Sequence, residues 1–137
     1  MRSLPVALLI PLALVLTNCA GTKPAPSTNN AAYTVERLVD ELPAGVEGVE
    51  LAKDGLRPKK GYSFVKDSDS TFAVMRMSDR SVVGGSHCRC WVGVGCIPDL
   101  NSDIITCIAL PVGCIRCGLV LTYGDIRTEA FQYTKKE

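Results

Sequence analysis

Apolar and polar residues are distributed in distinct ways along this chain, and each distribution predicts a different element. From Leu4 to Leu16 the residues are apolar apart from Pro5 and Pro11. Between Ala31 and Leu42, Val35, Leu38, Val39 and Leu42 recur at spacings of 3, 1 and 3, the stripe of an amphipathic helix. Glu36, Arg37, Asp40 and Glu41 fall on its other side, and Pro43-Ala44-Gly45 ends it. So short a helix needs a sheet to pack on. Val46, Val49 and Leu51 suggest an extended segment before the turn dipeptide Asp54-Gly55, and Pro58 and Gly61 bracket a loop at Lys59-Lys60. Tyr62–Lys66 and Thr71–Met77 have strand composition, and Asp67-Ser68-Asp69-Ser70 between them predicts a β-hairpin.

Ile104 to Leu121 is apolar enough to suggest a membrane span. Arg116, Pro111 and three cysteines interrupt it, however, and a charge near mid-span costs at least about 2.5 kcal/mol. Two short buried strands broken at Pro111-Val112-Gly113 are the better expectation. Tyr123-Gly124-Asp125 then turns the chain into a last strand, Ile126 to Tyr133. The pattern predicts a small β-rich (α+β) domain with one short N-terminal helix, a β-hairpin and a disulfide-stapled C-terminal β region. Residues 32–82 and 83–137 form its two parts.

A chain of 137 residues allows one such domain. Lys and Arg number 15 against 14 Asp and Glu, so the chain has no electrostatic footprint for nucleic acid. Cysteine is the outlier: of 7 in the chain, all but Cys19 lie between Cys88 and Cys117.

The N-terminus reads as an address. One positive charge at Arg2, an apolar run of about 13 residues and small residues after it make an export signal, since a membrane span needs roughly 20. Leu16-Thr17-Asn18-Cys19 resembles the lipobox of bacterial lipoproteins. The resemblance implies a signal peptide over 1–18, cleavage before Cys19 and lipidation of that residue. The membrane is then a partner through the anchor. Ala20, rather than Asp, implies sorting to the outer membrane if the cell is Gram-negative. Residues 19–31 continue as a small, polar, Pro-bearing stretch, the composition of a flexible tether.

The cysteine block is C-x-C-x5-C-x10-C-x6-C-x2-C, and three chemistries compete for it. An exported chain reaches an oxidising compartment, where structural disulfides persist. Cys88, Cys90, Cys96, Cys107, Cys114 and Cys117 then make three bridges, with 15 connectivities open. On a strand Cys88 and Cys90 face the same way, each reaching a different neighbouring strand. Alternatively, Cys114-Ile115-Arg116-Cys117 looks like a zinc knuckle, and Cys88, Cys90, Cys114 and Cys117 with His87 would hold zinc or copper. No iron–sulfur spacing is matched. The same C-x-x-C could carry thiol redox chemistry, but no helix N-terminus is evident to stabilise its thiolate.

Catalytic motifs are lacking. His87 and Cys88 are adjacent and face opposite ways on a strand, a poor nucleophile–base pair. Asp67 and Asp69, or Asp99 and Asp103, sit in turn-like sequence where Asp is common for backbone reasons. Arg57, Lys59, Lys60 and Lys66, with Tyr62 and Phe64, could grip an anionic glycan but read more simply as a solvated edge. Met75 and Met77 on one strand face could meet a soft metal but more often pack. The sequence therefore predicts a non-enzymatic, exported, lipid-anchored envelope protein without a cofactor. It would present loops such as Val92–Gly95 and Pro98–Asp103 to an envelope protein or a glycan.

Overall fold

The computed structural model describes residues 33–110 and 113–136. Ten strands and no helix occur among them. They are β1 (Tyr33–Arg37), β2 (Val49–Leu51), β3 (Leu56–Pro58), β4 (Tyr62–Lys66), β5 (Thr71–Arg76), β6 (Val82–Cys90), β7 (Cys96–Asn101), β8 (Ile104–Ala109), β9 (Arg116–Tyr123) and β10 (Ile126–Lys135). A six-stranded sheet runs β1-β10-β9-β6-β5-β4, and a four-stranded sheet runs β2-β3-β8-β7. Every pairing is antiparallel.

Alternation along the strands explains the layering. In β5 Phe72 and Val74 are buried, and in β10 so are Phe131 and Tyr133. Their inward faces meet Val49, Leu56, Ile105 and Cys107 of the smaller sheet in one core. Both parts of the chain, 33–82 and 83–136, contribute to that core, which makes them one domain. Tyr133 is fully buried and its hydroxyl donates to the Asp54 carbonyl at 2.7 Å, satisfying the one polar atom it brings inside. Gly84 lies directly beneath the Tyr123 ring, where any Cβ would collide.

Several expectations hold. The hairpin of β4 and β5 turns at residues 67–70 as its punctuation predicts, and Ile104 to Leu121 carries two strands, β8 ending at Ala109 and β9 starting at Arg116. No helix among the described residues is long and apolar enough to cross a membrane.

Two details differ from the sequence reading. Ala31 and Ala32, where the helical stripe begins, lie outside the described residues, and from Tyr33 to Arg37 the stripe is strand β1. The edge of β10 offers a complete row of backbone partners, Tyr33↔Lys135 to Arg37↔Phe131. That pairing outweighs a weak helical period. Val39 and Leu42 still pack on the core, but from an irregular segment. Pro98–Asp103 is not a loop: residues 98–101 belong to β7, and Ser102 and Asp103, at φ 51° and 67°, form a two-residue turn into β8.

Candidate functional site

The cysteines close three disulfides: Cys88–Cys107, Cys90–Cys114 and Cys96–Cys117. Cys88 and Cys90 share a face of β6, as a strand requires, but their partners are not its neighbours in the sheet. Cys107 belongs to β8 and Cys96 to β7, so two bridges cross from one sheet to the other. The third ties the end of β6 to the residues just ahead of β9. All three lie toward one end of the domain, where β6 stops and β9 begins.

Two segments project there, residues 91–95 after β6, and residues 113–115 ahead of β9. Backbone hydrogen bonds brace them: the Leu110 N–H donates to the Gly95 carbonyl at 2.7 Å, and the Trp91 N–H to the Arg116 carbonyl at 3.2 Å. Gly113, at φ 146°, lets the second loop press against the Val94 carbonyl, where a side chain would not fit. The result is a braced, outward apolar surface: Val92 is 85% exposed, Val94 81%, Ile115 68% and Trp91 44%. Trp91, Val92, Gly113, Ile115 and Arg116 line a cavity of about 370 Å³ between the loops. The Arg89 guanidinium sits 5.3 Å from the Trp91 ring centroid, a cation–π contact.

His87 occupies the face of β6 opposite Cys88 and Cys90. Burial, then the positive charges of Arg127 and Arg89, lower its pKa below the ordinary value. It therefore joins no cysteine cluster and stands among cations on the outer face.

The geometry corrects the metal and redox constellations. Cys88 is committed to Cys107, and His87 faces away, so the set Cys88, Cys90, Cys114, Cys117 and His87 does not converge. Cys114 and Cys117 belong to different bridges and do not close a C-x-x-C disulfide. The sulfurs that do gather are those of Cys90, Cys96 and Cys114, within 4.8 Å of one another, because two disulfides lie side by side. Cys19 lies outside the described residues.

The glycan-gripping set is also dispersed. Phe64 is buried, Tyr62 donates its hydroxyl to Glu47, Arg57 pairs with Glu50 at 2.9 Å, and Lys66 lies 3.7 Å from Asp69.

Sequence reasoning missed a second cluster at the far end of the larger sheet. Glu47 Oε2 accepts from the Tyr62 hydroxyl at 2.5 Å and from Arg76 Nε and Nη2 at 3.0 and 2.7 Å. Arg76 Nη1 donates to Asp79 Oδ2 at 3.0 Å and to Ser81 Oγ at 3.1 Å. The Tyr123 hydroxyl donates to the Glu47 carbonyl at 2.7 Å. Hydrogen bonds from Tyr62 and Arg76 hold the Glu47 carboxyl below its usual range. Those from Ser81, and then Arg76, bring Asp79 down to about 2. Each charged group is taken up by its neighbours, so the cluster clamps the segment around residue 47 onto the sheet. No spacing in the sequence connects Glu47 with Arg76; only the fold does.

Comparison with known proteins finds no match. That holds for family models, for curated proteins and for solved structures alike. The functional reading rests on the geometry of the two ends.

Proposed function

We propose that this chain is an exported, lipid-anchored protein of the cell envelope, held there through Cys19, with a disulfide-stabilised, non-catalytic binding domain. The binding end is the pair of braced segments at 91–95 and 113–115. One observation carries the reading: apolar side chains as exposed as Val92, Val94 and Ile115 stand on loops that a disulfide and backbone hydrogen bonds keep from folding inward. Rigid presentation of apolar groups suits binding, since little ordering entropy remains to be lost on contact. Three disulfides fit a location outside the cytoplasm. Signal, lipid anchor and, in a Gram-negative cell, outer-membrane placement follow from the Leu16–Cys19 resemblance.

Intact mass of the exported protein tests this, with thiol alkylation under denaturing conditions before and after reduction. The expected result is a diacylglyceryl-modified Cys19 at the N-terminus, no alkylation before reduction and six alkylated thiols after it. An unmodified Cys19 would remove the anchor from the reading.

A second reading has one observation in its favour. The grouped sulfurs of Cys90, Cys96 and Cys114 would form a soft-metal site for zinc or copper if a dithiol reduced both bridges. Free thiols released together with stoichiometric metal would select it over the first. A thiol-redox role, the weakest of the three, would require one of these bridges to cycle with an external dithiol.

A further inference from the structure

We propose that the loop end docks on the surface of the bilayer that carries the Cys19 anchor. Trp91, Val92, Val94 and Ile115 would sit at the boundary between headgroups and acyl chains, with Arg89 and Arg116 against lipid phosphates. This names the partner of the binding end and rests, for the anchor alone, on the reading above.

The first support is direction. The row Cys90↔Cys117↔Tyr133 crosses the larger sheet at the loop end. One step outward, Tyr33 pairs with Lys135, whose N–H donates to the Ile115 carbonyl at 2.8 Å. The chain coming from Cys19 therefore joins the domain beside the exposed loops and not at the opposite end. Only residues 20–32 separate Cys19 from Tyr33, a reach of at most roughly 50 Å fully extended. An anchor at Cys19 keeps this end near the bilayer.

Charge is the second support. The net balance of the chain conceals a local asymmetry. Arg89, Arg116, Lys135 and Lys136 gather where the loops project, Lys53 and Asp54 lie beside Lys136, and neither loop contains an acidic residue. Asp67 and Asp69 lie toward the same end on the β4–β5 edge, with Lys66 pairing Asp69. The far end is mixed, with Glu47, Asp79, Asp103 and Asp125 among Lys59, Lys60 and Arg80.

The third support is side-chain type. An indole whose ring meets an arginine, flanked by aliphatic tips, matches the amphipathic chemistry of a membrane interface. Lipid headgroups accept arginine at phosphate while the ring and valines enter the apolar boundary.

The test uses the full exported chain, reconstituted with protein-free vesicles of phosphatidylethanolamine and phosphatidylglycerol, with or without brominated acyl chains. Trp91 is the one tryptophan of the chain, so its emission reports this end alone. Docking predicts a blue shift and a fall in Trp91 intensity by roughly half in brominated vesicles, as for an interfacial indole. Both effects should vanish in a Val92→Ser/Ile115→Ser variant whose mass still shows three disulfides. Emission that stays red-shifted, with unchanged quenching by aqueous iodide, overturns the proposal. Shielding seen only when native envelope proteins are added overturns it in favour of a protein partner. Mass analysis of Cys19 separates the two readings. An unlipidated chain that is still quenched keeps the docking and removes the anchor, whereas a lipidated chain with unquenched Trp91 does the reverse.

Discussion

The two ends of this domain solve the same problem with different chemistry. At one end, loops rich in glycine and valine supply few inward contacts, and covalent bonds hold them. At the other, Glu47, Tyr62, Arg76, Asp79, Ser81 and Tyr123 hold a segment by hydrogen bonds and ion pairs, beside the packing of Val46 on the core. The covalent solution leaves side chains free to face outward, because the bridges rather than side-chain burial fix the backbone. The polar solution consumes its side chains in mutual contacts. The first end presents its apolar side chains on braced loops, whereas the clamp at the second turns its charges on one another.

Removing the Cys96–Cys117 bridge should give the largest effect on this contrast. Replacing both cysteines by Ala costs about 3 kcal/mol by the loop-entropy estimate, readable as a lower midpoint in denaturant. Removing Cys90–Cys114, which spans a similar length but has the half-buried Cys90 at one end, should cost less and should loosen the loops selectively. Equal losses for the two would show that position in the fold does not matter and would break the comparison.

Tyr133→Phe comes next. It removes the buried hydrogen bond to the Asp54 carbonyl, for a loss of roughly 1–2 kcal/mol in the same unfolding measurement.

Acid should act on the polar end through two carboxyls. The folded state holds Glu47 and Asp79 below their ordinary values, so the unfolded chain binds protons more readily. Their contribution is fully present above about pH 5 and drains away as the pH falls toward the Asp79 value of about 2. His87 adds an earlier loss as the pH falls below its ordinary 6.5, because the fold prefers the neutral ring. Unfolding followed against pH should show a shallower acid slope below about pH 5 in Glu47→Gln, and a flatter profile near pH 6 in His87→Gln.

The smallest effect on stability belongs to the exposed loop side chains. Val92→Ser and Ile115→Ser should change unfolding free energy by no more than about 0.5 kcal/mol. A large loss would mean that these side chains hold the fold together and are not free for a partner.

Much of the architecture was legible in the sequence. Period-2 alternation bounded by Asp-Ser-Asp-Ser marks the β4–β5 hairpin, and Pro111-Val112-Gly113 marks the break between β8 and β9, since such turn chemistry acts within a few residues. Six cysteines behind a stretch that resembles an export signal were enough to suggest three bridges. The β1 strand was misread because the 3-1-3 stripe fits a helix although only Val35 of its four residues lies in β1, and the deciding partner, β10, lies about a hundred residues away.

What the sequence determined by itself was local: strand composition, turns, charge balance and the thiol count, each set by neighbours along the chain. Which cysteine meets which, the sharing of Glu47 between Tyr62 and Arg76, and the placement of the Tyr33 end beside Trp91 and Ile115 were decided only by tertiary structure. Each depends on antiparallel pairing and sheet packing between residues far apart in the chain, and no local spacing encodes the register that brings them together.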